Sequence, residues 1–333
     1  MPKKHYLTLA AAAMLGVSGF STAFAGTETA AAPDGKEAKQ PAAPCPVSYI
    51  TGDFGVTFVS EYDSRGIPQP DQWKGVIAQP YLDIYIKLYS GNGFINSVSG
   101  QLSFWSDVGS NTDSAASATI PAYLKNNGVP KKVTGPLQNS LTGSARDWEE
   151  FDWDPGVSVT FAQKFTLLVQ YFEFDSPAGA FSTARSIDAN LTYDDSALLG
   201  AFSLHPHATV LYELGAPGYA GLQPNGWYYE FGIAPSYTFL PKSSYPITVA
   251  LPNTLGLGDD HGFYGNNTFG YYQVGPSISV PLAFIPSGFG SWTLTAAYTY
   301  EYAGTTIREA NFAAGGSGAN SRNIFSGALG CTF

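Results

Sequence analysis

The 333-residue chain carries 16 Lys and Arg against 26 Asp and Glu, a formal charge of -10, and is 44% hydrophobic, 15% aromatic and only 13% charged, about half the charged fraction of an ordinary soluble domain. The acidic balance argues against a nucleic-acid partner, and two cysteines cannot staple a disulfide-rich scaffold. Beyond residue 25 no run approaches the roughly 18 apolar residues of a membrane-crossing helix, so a helical membrane protein is excluded.

The chain opens with Lys3, Lys4 and His5, continues with an apolar stretch from Leu7 to Phe20, and reaches a small-x-small site at Ala23-Phe24-Ala25. That is the layout of a secretory signal peptide over residues 1–25. Residues 26–47 are Ala, Pro, Glu, Lys and Gly without apolar period, a composition that cannot offset chain entropy by burial and reads as a flexible periplasmic tail. Sustained patterning then runs from residue 48 to residue 333 as one domain.

That patterning has period two. Between Trp227 and Phe239 one parity holds Trp227, Tyr229, Phe231, Ile233, Tyr237 and Phe239, while the other holds Glu230, Gly232, Ala234, Ser236 and Thr238. Residues 77–89 and 291–303 behave alike. Successive side chains of a strand face opposite ways, so such segments have one face in an apolar medium and one in a polar medium. Twelve strands are predicted, at 53–64, 76–89, 95–108, 149–162, 165–175, 186–195, 202–213, 226–239, 245–256, 268–283, 291–303 and 322–333. Short connections alternate with longer ones, as in an all-β transmembrane antiparallel barrel of the bacterial outer membrane, with short periplasmic turns and long external loops. Pro235, Pro252 and Pro276 fall inside three neighbouring predicted strands, where a closed barrel has no free edge; bulges or shifted boundaries would accommodate them, and ten or fourteen strands stay open as alternatives.

Nearly all strand charges share the parity opposite the apolar one. Glu61, Asp63, Asp83, Lys87, Asp107, Asp152, Asp188, Glu230 and Glu301 are therefore predicted to line a wet lumen, whose acidic character favours cations. This points to a porin-like channel for small solutes or cations. The alternative is a closed barrel, its acids paired with Arg65, Arg146, Arg185, Arg308 or Arg322 or its lumen plugged by residues 109–148, that binds a partner through its external loops. Trp105, Trp148, Trp153, Trp227, Trp292 and Tyr302 sit near predicted strand ends, as interfacial girdles require. Lipid of the outer membrane is the expected surrounding.

Sites of chemistry are sparse. Asp259-Asp260-His261 lies in a predicted external loop, where an acid–His couple could activate water, but no second matching pair accompanies it. His205 and His207 share one parity, without a placed third metal ligand. No catalytic residue, metal or cofactor is expected. Cys45 precedes the first strand and Cys331 falls in the last, which a closed barrel makes neighbours; a disulfide between them is expected in an oxidising periplasm, the alternative being two free thiols.

Two resemblances add to this reading. The terminal Phe333, on an amphipathic last strand, is similar to the signal that the barrel-assembly machinery reads in Gram-negative outer-membrane proteins. The run Ser60-Glu61-Tyr62-Asp63-Ser64-Arg65-Gly66-Ile67-Pro68-Gln69, with its Tyr-x-x-Arg-Gly-Ile-x-Gln core, resembles the first strand and loop of a family of Gram-negative outer-membrane barrel proteins. The resemblance implies an outer-membrane location and a barrel fold without a defined substrate. A physical reading of the motif has Arg65 pairing with Glu61 or Asp63 to fix the barrel mouth.

Overall fold

The computed structural model describes residues 49–68, 76–109, 148–177, 183–214, 225–313 and 318–333. Twelve antiparallel crossings form a closed barrel. They are β1 (Ile50–Val59), β2 (Ile77–Ser90), β3 (Ile95–Gly109), β4 (Trp148–Phe161), β5 (Phe165–Asp175), β6 (Ala184–Tyr193) and β7 (His207–Glu213). Three split crossings follow: β8 (Trp227–Ile233 and Ser236–Phe239), β9 (Ile247–Ala250 and Asn253–Gly258) and β10 (Phe269–Val274 and Ser277–Pro281). The last two are β11 (Ser291–Ala303) and β12 (Ser321–Thr332). Each pairs with its sequence neighbours, and β12 also pairs with β1, with Asp53 opposite Thr332 and Val59 opposite Ser326. Closure removes the free edge that lipid cannot satisfy.

The period-two alternation is realised around the wall. On β1, Asp53, Thr57 and Val59 are buried inside, whereas Ile50, Phe54 and Phe58 are exposed outside. The same division places Phe231, Ile278, Leu294 and Phe325 on the outer surface, opposite Glu230, Ser277, Thr293 and Arg322 within. β5, whose Gln170 and Glu173 have opposite parities, is oriented by its neighbours. Gln170 points inward and is buried, and Glu173 points outward, where it accepts bonds from Arg185 Nε at 2.9 Å and Tyr171 at 2.6 Å.

The three prolines interrupt the ladder without shifting it. Ile233 faces Asn253 and Ser236 faces Ala250, the same register on either side of Pro235; β9 and β10 keep register across Pro252 and Pro276 in the same way. Each proline accepts one bond, from the N–H of Leu251, Gly275 and Tyr298 in turn, at 2.9, 3.3 and 3.1 Å. None can return one. The carbonyl of Leu251, deprived of its donor, accepts from Asn253 Nδ2 at 2.7 Å, and Asn253 Oδ1 accepts from the hydroxyl of Tyr272. No bulge is therefore needed at the prolines.

The strand predicted at 202–213 is shorter, beginning only at His207. Residues before it form α1 (Ser196–Leu199) and a 3-10 turn (Gly200–Phe202), with Leu198 and Phe202 exposed. The turn lies beside Ser236–Phe239, the part of β8 that β7 is too short to reach. Trp105, predicted as an interfacial aromatic, is instead 1% exposed and faces the lumen, whereas Trp148 and Trp227 are exposed outside.

Residues 1–25, the tail 26–47 with Cys45, and most of 109–148 with Arg146 lie outside the described residues. Cys331 is buried at the end where β12 finishes, its Sγ 3.6 Å from the carbonyl oxygen of Phe289.

If the proline rungs are the weak points of this wall, Pro276→Ala, which restores an N–H facing the carbonyl of Tyr298, raises the free energy of urea unfolding in lipid vesicles by about 1 kcal/mol. A loss of about 2 kcal/mol would show that the ring itself is needed there.

Candidate functional site

The chemistry of the molecule gathers inside the half of the barrel into which residues 61–68 fold. The chain leaves β1 at Val59 and turns back at once through a small hairpin, Asp63–Ser64 paired with Ile67–Pro68. Its tip is the pair Arg65-Gly66, with φ of 52° and 77°. Two successive positive φ values define the tight hairpin turn whose twist matches its strands. Gly66 is required twice over, because a Cβ there would meet the Tyr271 ring at 2.5 Å. Glu61 and Asp63, predicted on a strand, thus sit on an inserted hairpin.

Inward-facing aromatic and aliphatic side chains hold this hairpin. Tyr62 packs on Trp105 with ring centroids 5.2 Å apart, and both belong to a buried cluster with Phe172, Phe174, Leu211, Tyr228, Phe263, Tyr264, Tyr271 and Ile307. Ile307 comes from α2 (Thr305–Ala313), and Phe263 and Tyr264 from the connection between β9 and β10. The Tyr264 hydroxyl donates to the carbonyl oxygen of Arg65 at 2.7 Å. Tyr228 and Tyr271 share the inward parity with the acids, so their role was written in the polar face of the sequence.

Charge fastens the hairpin to the wall. Arg322, the second residue of β12 and 9% exposed, donates to the carbonyl oxygen of Gly66 at 2.8 Å, lies 2.7 Å from Asp63 Oδ1 and 3.8 Å from Glu61 Oε1, and pairs with Glu301 of β11. Gln273 of β10 also donates to Glu301. Pairing with Glu61 and Asp63, assigned to Arg65 by the motif reading, therefore belongs to Arg322. Arg65 reaches further in, with its guanidinium carbon 5.7 Å from the centroid of Phe174 and 5.8 Å from that of Tyr228.

The remaining predicted lumen residues face inward. Asp83, Asp107, Asp152, Asp188 and Glu301 are at most 2% exposed, and Glu150, Asp154 and Glu213 join them. Lys87 has the same parity near the opposite end of β2 and is only partly buried. Glu230 accepts from Tyr228 and Tyr271 and lies 3.3 Å from His207 Nε2. His205 is not its companion; it precedes β7 with φ of 47°, 3.9 Å from Asp195. Asp195 spends its oxygens on the N–H groups of Leu204 and His205. In the 259–262 loop, Asp259 accepts from the N–H groups of Trp227 and Phe263, which makes it a loop brace, while Asp260 and His261 are largely exposed.

Burial pushes the Glu61 carboxyl up from its ordinary 4.5 to about 7, with the negative charge of Asp63 adding to the effect and Arg322 opposing it.

No protein-family model matches the chain, and no curated protein matches it in sequence. Solved structures that align with it include an outer membrane channel from Pseudomonas putida F1, at 9% identity over 86% of this chain and 99% of that one, with a TM-score of 0.41. Others are LpxR from Salmonella typhimurium (6% identity, 84% and 100% covered, TM-score 0.39) and outer membrane phospholipase A from Escherichia coli (11%, 88% and 94%, 0.37).

Two expectations follow. Arg322→Gln strands Asp63 and Glu301 in the interior and lowers stability by about 3–5 kcal/mol, measured by urea unfolding; a change under about 1 kcal/mol would contradict the fastening role. Because docked Glu61 holds its proton more tightly than a free carboxyl, the docked hairpin loses stability as pH rises from 4.5 through about 7. In a background without Cys45 and Cys331, labelling of Ser64→Cys, corrected for thiolate fraction, is then faster at pH 8 than at pH 5, and Glu61→Gln reduces the difference, the part that remains coming from Asp63, whose carboxyl burial also pushes up.

Proposed function

We propose that this chain is an outer-membrane channel for small cationic solutes, closed in the state described here by the 61–68 hairpin. The observation that carries this reading is the charge of the lumen: carboxylates contributed by β2, β3, β4, β6, β7, β8 and β11 converge inside and outnumber the bases beside them, Lys87, Arg65 and Arg322. A narrow acidic passage concentrates cations and repels anions. The hairpin ahead of it is anchored by Arg322, one side chain that touches Glu61, Asp63, Gly66 and Glu301, so a local change could release it.

The outward-facing apolar residues match an outer-membrane setting, and Phe333 supports delivery by the barrel-assembly machinery. Its N–H and C=O both bond Gly52 of β1, at 2.9 and 3.0 Å, and its ring packs against Phe54. The last residue therefore closes the seam between first and last strands. A second reading, a closed barrel that binds a partner through its loops, is favoured by the near-zero exposure of Asp83, Asp107 and Glu301.

Planar-bilayer recording separates the two. The wild-type chain is expected to open rarely, and replacing residues 61–68 by a short Gly-Ser linker is expected to give sustained openings, with a reversal potential in a KCl gradient showing preference for potassium. Silence of both proteins beside a conducting control porin would leave only the closed barrel, and chloride preference would reject the acidic passage.

A further inference from the structure

Arg65 is a guanidinium delivered by the chain into the inside of its own barrel. Its head lies between the rings of Phe174 on β5 and Tyr228 on β8, an arrangement in which the negative faces of aromatic rings attract a flat cation. Around it stand acids from three strands: Asp152 and Asp154 on β4, Asp188 on β6 and Glu230 on β8, all within its electrostatic range. Glu230 is bonded by its tyrosine neighbours.

The other three acids are not matched in this way. Asp152, Asp154 and Asp188 are 2%, 0% and 2% exposed. Oδ1 of Asp152, both oxygens of Asp154 and Oδ1 of Asp188 have no hydrogen-bond partner among the described residues. A buried carboxylate without a partner is costly, and three beside a single guanidinium cannot all stay charged unmatched. Something cationic or a proton must answer them. A single chelated metal fits poorly: among the described residues, the one group of three or more metal-ligand side chains with donor atoms within 4.8 Å of one another is Asp194, Asp195 and His205, below β7. Carboxylates spread over β4 and β6, beside a guanidinium that two aromatic rings also approach, suit a larger, flat, multidentate cation, since guanidinium presents five N–H donors in a plane.

We infer that the Phe174–Tyr228–Asp152–Asp154–Asp188 chamber is a binding station for guanidinium-bearing organic cations, and that Arg65 is its tethered occupant in the closed state. The inference rests on the channel reading and names its substrate class. Withdrawal of the hairpin takes Arg65 out and leaves the station open, so a solute competes with Arg65 for the same rings and acids. Apparent affinity in the wild-type protein is then reduced by the fraction of molecules in which Arg65 occupies the site.

The test uses the mature chain refolded in detergent micelles, with methylguanidinium chloride as probe and calorimetric titration as readout, and with folding checked by the heat-modifiable gel mobility of barrels. Arg65→Ala, or Arg65→Gln should the alanine variant not fold, is expected to bind methylguanidinium about tenfold more tightly than wild type. Adding Asp154→Asn and Asp188→Asn to that variant is expected to abolish the gain, and potassium at equal concentration is expected to compete weakly. Equal binding by wild type and the Arg65 variant, retention of the gain in the double Asn variant, or displacement by potassium as strong as by the probe itself would each overturn the inference. Because binding is measured without a membrane, it stands apart from conduction: conductance without guanidinium binding sinks the inference alone, and binding without conductance sinks the channel reading.

Discussion

A strand in hydrocarbon has two obligations: every backbone donor must find a neighbouring carbonyl, and every second side chain must tolerate lipid. The rest of this molecule depends on both. The first forces closure of the sheet, with β12 returning to β1 and Phe333 bonding Gly52 at the join. The second assigns the apolar parity outward and so delivers the acids into an enclosed space, where carboxylates cannot disperse their charge into bulk water. The charged groups are inside because the exterior must be greasy.

The acids in turn explain the hairpin. Two guanidiniums lie among these carboxylates, Arg322 at the end of the barrel that the hairpin fills and Arg65 at the hairpin's tip. One of them arrives on β12 and the other on a loop turned inward. Aromatic side chains of the polar parity, Trp105, Tyr228 and Tyr271, give that loop an apolar seat. Gly66 lets the turn approach the Tyr271 ring closely enough for the backbone carbonyls of Arg65 and Gly66 to be bonded by Tyr264 and Arg322.

Much of the barrel was legible in the chain because alternation is a local signal that the fold cannot override without exposing charge to lipid. The twelve crossings and the inward parity of Asp83, Asp107, Asp152, Asp188, Glu230 and Glu301 follow directly from it. What escaped was tertiary. Strand one stops at Val59 because residues 61–68 gain more from packing inside than from extending the wall, and period two cannot distinguish those outcomes. The exchange of roles between Arg65 and Arg322 has the same origin, since the two lie far apart in sequence and meet only through closure. His205 left the strand because Asp195 captures its backbone N–H. The prolines were legible as a problem, but not its resolution, in which the ladder keeps register and Asn253 supplies a missing donor.

The central claim is that lipid and lumen alternate along each strand. The most direct measurement is collisional accessibility of nitroxide labels placed singly at every position from Leu294 to Tyr300 of the protein in vesicles. High oxygen accessibility is expected at Leu294, Ala296, Tyr298 and Tyr300 and low values at Thr295, Ala297 and Thr299. A flat profile, or one with the opposite phase, would contradict it.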